Sequence, residues 1–106
     1  MTPTMRAVLC RRHGPPESLE VGAAAVPQPG PGQVRIRVAA CGINFPDLLL
    51  VAGTYQDKPP LPFIPGGEVA GVIEQAGPGT GLLRAGQQVM AATLLGGLAE
   101  YVVVAA

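Results

Sequence analysis

The chain of 106 residues has no tryptophan, a single histidine and two cysteines, and only 13% of its residues are charged. Each shortage removes a class of function. Cys10 and Cys41 lack the close spacing of a metal-binding pair, and His13 stands alone, so no metal cluster can be drawn from the usual ligands. Seven basic and seven acidic residues cancel to a net charge of zero. The basic footprint that nucleic acid requires is therefore missing, and a membrane surface is equally unsupported. No apolar run approaches the roughly 20 residues of a membrane span. The opening MTPTMRAVLCRRHG contains no long apolar stretch of the kind found in secretory signals. A cytoplasmic protein is expected, with both thiols reduced and packed into structure.

Glycine and proline are plentiful, at 15 and 12 residues, and 48% of the chain is hydrophobic. The glycines and prolines punctuate short apolar runs without repeating, which is the pattern of one mainly β domain with many turns. Strands are expected at Met5–Cys10, Leu19–Ala25, Gln33–Ala40, Glu68–Gln75, Gln88–Thr93 and Ala99–Ala105. In the third, Val34, Ile36 and Val38 alternate with Arg35 and Arg37, so the two arginines are expected on a solvated face. Glu68–Gln75 is apolar on both faces and is expected to be central. Between these runs, Asn44-Phe45-Pro46-Asp47 reads as the start of a short helix. Asn44 can cap it, Pro46 suits its first turn, Asp47 its positive end, and Gly53 its stop.

Five segments share an order with a known family. Pro29-Gly30-Pro31-Gly32-Gln33-Val34-Arg35-Ile36-Arg37-Val38 is followed by Gly42-Ile43-Asn44-Phe45-Pro46-Asp47. Then come Pro62-Phe63-Ile64-Pro65-Gly66-Gly67-Glu68-Val69-Ala70-Gly71, Arg84-Ala85-Gly86-Gln87-Gln88-Val89 and Gly97-Leu98-Ala99-Glu100-Tyr101. Together these segments resemble the quinone oxidoreductase-like, zinc-independent branch of the medium-chain dehydrogenase/reductase family, over residues 5–105. The resemblance implies a GroES-like, partly open β-barrel with one or two short helices, occupying all of 1–106. Gln87 stands where the family usually has an aspartate, which puts a turn hydrogen bond in question.

The resemblance also implies chemistry. Zinc alcohol dehydrogenases of the family carry a cysteine ligand at the place of Asn44 and a histidine ligand at the place of Gly67, so no zinc is expected here. The implied activity is NAD(P)H-dependent hydride transfer to a quinone or an α,β-unsaturated carbonyl. Asn44 and Tyr55 are the candidate catalytic residues, Asn44 and Phe45 the candidate cofactor contacts, and Tyr55 with Gly67 the candidate lining of the substrate cleft. Each has a plainer reading as well. Asn44 can simply cap the helix, Tyr55 can cover apolar neighbours, and Phe45 can pack into the core. Glu68 reads best as a residue in an ion pair or bonded to backbone, Asp47 as a helix-start residue, and Cys41 as an inert thiol.

No cofactor site accompanies these residues. Gly77-Pro78-Gly79-Thr80-Gly81 fails the G-x-G-x-x-G spacing, and no βαβ alternation follows. No Rossmann domain is expected within these residues, so the chain is expected to be inactive alone. NADPH or NADH would be held mostly by a missing Rossmann domain or a complementary subunit. The contrasting expectation is a standalone GroES-like domain acting as a binding or oligomerisation module, possible as a homo-oligomer. The PxxP spacing in Pro59–Pro65 is a weaker third reading, as a peptide ligand.

Overall fold

The computed structural model describes residues 3–106. Its strands are β1 (Thr4–Leu9), β2 (Glu20–Ala25), β3 (Gln33–Gly42), β4 (Glu68–Ala76), β5 (Gln88–Ala92) and β6 (Tyr101–Ala105). One α-helix, α1 (Phe45–Ala52), and a 3-10 turn at Pro16–Ser18 complete the elements. β1 and β2 form an antiparallel hairpin with Thr4 opposite Ala25 and Leu9 opposite Glu20. The other four strands make an antiparallel sheet in the order β5-β4-β3-β6, so β4 is internal as its two-faced apolar content predicts. Single bridges, Ala7 to Ala99 and Cys10 to Phe63, tie the hairpin to the remainder. The sheets do not close, and a cavity of about 520 Å³ opens between them over Met5, Leu9, Phe63 and Val102. The result is the mainly β, partly open barrel that the pattern implies.

Two apolar clusters hold it together. Val34, Ile36, Val69, Ile73 and Val102 fill the space under the four-stranded sheet. Cys10, Leu50, Val51 and Phe63 fill the space under α1. Cys10 is fully enclosed and its thiol donates to the Arg12 carbonyl at 3.2 Å. Both cysteines are free thiols.

The alternation in β3 fails at one residue. Arg37 is exposed as expected, but Arg35 is only 8% exposed. Arg35 faces Gln75 and Ile36 faces Ile73, so the register shift leaves Glu74 as an extra residue on β4, a bulge. The pairing of β3 with β6 runs without a shift, yet Val34, Arg35 and Ile36 are buried in succession, because the Arg35 side of the strand is covered as well. The guanidinium is fully engaged. Its Nε and Nη2 donate to Glu74 at 3.0 and 2.9 Å, and its Nη1 donates to the Pro27 carbonyl at 3.1 Å. Its carbon lies 5.6 Å from the centre of the Tyr101 ring, within cation–π range.

Gln87 also corrects an expectation. In place of a carboxylate, its Oε1 accepts the Arg84 N–H at 3.0 Å and its Nε2 donates to the Leu82 carbonyl at 3.2 Å. The amide restores the turn bond and adds a second one.

Arg35→Ala is expected to destabilise the chain by about 2–3 kcal/mol, below the usual range for breaking a buried pair because Glu74 stays partly hydrated. Arg37→Ala is expected to change stability by less than about 0.5 kcal/mol. Urea denaturation followed by circular dichroism compares the two, and equal effects would contradict the clamp.

Candidate functional site

α1 is set at both ends by local chemistry. Asn44, the N-cap, is extended at φ −125° and ψ 166°, and its backbone N–H donates to the Asp47 carboxylate at 2.8 Å, one half of a capping box. Pro46 sits in the first turn. At the far end Gly53 is left-handed at φ 78°, and the Thr54 N–H closes on the Leu49 carbonyl at 3.0 Å. A side chain at Gly53 would strike the His13 ring, with Cβ 2.7 Å from its Cγ. The turn after β1 is thereby stacked against the end of the helix.

The helix buries Asp47, Leu50 and Val51. It leaves its other side apolar as well. Phe45 is 70% exposed, with Ile43 and Leu48 also exposed around it. Asn44 is exposed among these three. Phe45 is thus not packed into the core, and an amide stands within an uncovered apolar rim. Ile43 and Leu48 were not singled out from sequence. The signal was present: Leu48-Leu49-Leu50-Val51 is apolar all round an eight-residue helix, and only one face can be buried against the barrel.

Tyr55 lies beyond the other end of α1, half-buried against the cluster of Cys10, Leu50, Val51 and Phe63. The structure places it where the covering role requires. Asn44 and Tyr55 are set at opposite ends of a helix about 12 Å long.

Gly67 is closely enclosed by backbone. A Cβ there would lie 2.7 Å from the Thr93 carbonyl oxygen, and the Gly67 carbonyl accepts the Thr93 N–H at 2.8 Å. Next to it, Gly66 (φ 110°) and Gly97 face the Cys41 thiol, with Cβ atoms that would come within 2.8 and 2.9 Å of Sγ. The thiol fits because both neighbours lack side chains. Burial pushes the Cys41 thiol above its ordinary value; a hydrogen bond to the Glu68 backbone offsets part of this, while the charges of Asp47 and Glu68 add to it. Burial also pushes the Cys10 thiol up. Glu68 itself is exposed, and its carboxylate lies over Gly42, where a Cβ would come within 2.6 Å of Oε1. Neither recorded ion pair among the described residues, Arg11–Glu20 and Arg35–Glu74, includes it. Of the two roles expected of Glu68, the ion pair is not among those seen in the described residues.

Among the described residues, no group of three or more His, Cys, Asp or Glu is placed to hold a metal ion. Residues 77–81 form a turn leading into another turn, with Gly79 and Gly81 at positive φ and no helix following. A pyrophosphate finds no helix N-terminus there.

Residues 30–106 match the family described as alcohol dehydrogenase GroES-like domain. The chain belongs to that family. This GroES-like domain is 44% identical to human quinone oxidoreductase over 103 residues, which is 95% of the chain and 31% of that protein. The solved structure of a human synaptic vesicle membrane protein VAT-1 homolog-like protein superposes with a TM-score of 0.92 at 35% identity, covering 96% of this chain and 33% of that one. A mycobacterial protein solved in complex with NADPH gives a TM-score of 0.86 at 35% identity, over 96% of this chain and 32% of that one. The domain thus spans about a third of the length of the curated quinone oxidoreductases it matches.

One substitution and one labelling experiment test the geometry. Gly67→Ala is expected to destabilise the domain by about 1–3 kcal/mol, because the added methyl meets backbone that must shift; a thermal melt reads it. At pH 8 both cysteines are expected to react with iodoacetamide more slowly than a free thiol, and faster as pH rises, because burial holds them protonated. Mass spectrometry of the labelled sites would expose the opposite order.

Proposed function

We propose that this GroES-like domain is the substrate side of a zinc-independent, NAD(P)H-dependent reductase of quinones or α,β-unsaturated carbonyls. The dinucleotide would be held mainly by a domain outside these 106 residues. The observation that carries the reading is the exposed amide of Asn44 inside the uncovered rim of Ile43, Phe45 and Leu48. A polar donor ringed by unburied apolar side chains suits a flat, partly polar ligand covered by a second body.

NADPH, when bound, supplies the hydride. In that reading Phe45 offers its ring to the nicotinamide, and the Asn44 amide donates to the carbonyl oxygen as negative charge grows there. A neutral amide can do this without titrating. Tyr55, anchored on Leu50 and Val51, borders the far side of the cleft with a phenol beside an apolar face. Gly67 keeps the wall between cleft and barrel thin. A zinc-based alternative finds poor support in the donor set: Asn44 offers no thiolate, and the place of a second ligand is a glycine with backbone 2.7 Å from any Cβ. The phosphates have no cradle in the described residues, so complementation by a dinucleotide-binding domain is part of the proposal, as is a cytoplasmic setting.

The test is a chimera in which this chain replaces the aligned 103 residues of human quinone oxidoreductase. NADPH oxidation dependent on a benzoquinone or an enone is expected. Asn44→Ala should lower kcat by about 100-fold, the order seen when one oxyanion donor is removed, and Phe45→Ala should raise the KM for NADPH. A folded chimera that binds NADPH yet keeps full kcat with Asn44→Ala would reject the role given to Asn44.

A further inference from the structure

We infer that Asp47 is a positioning residue for Asn44, an inference that rests on the role proposed for Asn44 above. Asp47 and Arg35 are the buried charged residues of the described chain, at 6% and 8% exposure. Their surroundings differ. Arg35 has a carboxylate, a carbonyl and an aromatic ring around it, whereas no recorded ion pair among the described residues includes Asp47. Its recorded side-chain partner is the Asn44 backbone N–H, at 2.8 Å from Oδ2. Its charge, like that of Glu68, pushes the Cys41 thiol up.

A carboxylate in the first turn of a helix can favour the helix while fully hydrated. Burial is therefore not explained by helix formation alone, since an enclosed carboxylate costs free energy unless a strong hydrogen bond offsets it. The bond it makes ends on residue 44. That residue is also gripped from its other side, because its carbonyl accepts the Asp47 N–H at 3.0 Å. Pro46 fixes φ within the four-residue turn so formed. The main chain of Asn44 is thus held at both its N–H and its C=O, and the Cα–Cβ direction that aims the amide is set from beneath. Only the first of these bonds depends on a side chain, and that side chain is Asp47.

The experiment measures hydrogen–deuterium exchange of the Asn44 backbone amide by NMR in the whole chain. Asp47→Ala should speed exchange at Asn44 by about tenfold or more, from the loss of a hydrogen bond to a charged group, with β3 amides such as Ile36 unchanged. Asp47→Asn, which keeps an acceptor oxygen of the same shape, should restore most of the protection. If Asp47→Ala does not fold, Asp47→Glu, which keeps the charge one methylene farther out, takes its place, and loss of Asn44 protection is still expected. Unchanged exchange at Asn44 overturns the inference. In the chimera, Asp47→Ala should lower kcat with little effect on the KM for NADPH, and Asp47→Asn should recover it. A fall in kcat with Asn44→Ala but not with Asp47→Ala overturns this inference alone; no fall with either overturns the reading on which it rests.

Discussion

The Arg35–Glu74 pair is the interaction on which the barrel most depends. Arg35 sits on β3, the strand paired with both β4 and β6. Its guanidinium reaches Glu74 on β4, lies over Tyr101 on β6 and holds the carbonyl of Pro27 in the proline-rich crossing before β3. One side chain therefore links three consecutive strands and a loop that cannot form ladder bonds of its own. The planar fork of arginine matters here, since three of its nitrogens are used at once. The bulge opposite Arg35 lies on β4, where Glu74 is the extra residue, so the carboxylate that meets the guanidinium sits at the irregular point of the pairing.

From that frame the site follows by close packing of backbone. β3 ends at Gly42, where the carboxylate of Glu68 occupies the space of an absent side chain. One residue earlier, Cys41 is seated against Gly66 and Gly97, whose backbones are joined by the Gly97 N–H to the Gly66 carbonyl at 2.9 Å. These contacts determine where the chain leaves the sheet, and so where Ile43 and Asn44 emerge. The apolar rim around Asn44 is then a product of position. The helix has one barrel to lie on and more apolar surface than that barrel covers.

Much of the fold was legible because turn chemistry and apolar periodicity act locally. Gly53 ends α1 where a left-handed residue is needed, and the strands match their expected positions within two residues at each end. What escaped was non-local. The burial of Arg35 depends on partners far off in sequence, and Glu74 lies 39 residues away. The substitute hydrogen bonds of Gln87 depend on the path of residues 82–84. The place of Asn44 at the start of α1 could be read from its capping position. The exposure of Phe45 could not, because it is decided by which faces of the barrel remain uncovered. Tyr55 was readable in two ways, and its packing on the cluster of Cys10, Leu50, Val51 and Phe63 is what either role would begin from.

The two ends of α1 are fastened independently, one by Asp47 and the other by Gly53 against His13. The helix therefore behaves as a rigid spacer between its flanking groups, and its eight residues act as a gauge. A molecule gripped by groups at both ends must bridge on the order of 12 Å of main chain. A single small ring would be held at one end only. Under the role proposed for this face, the eight residues of the helix would set the length that a bound molecule has to match.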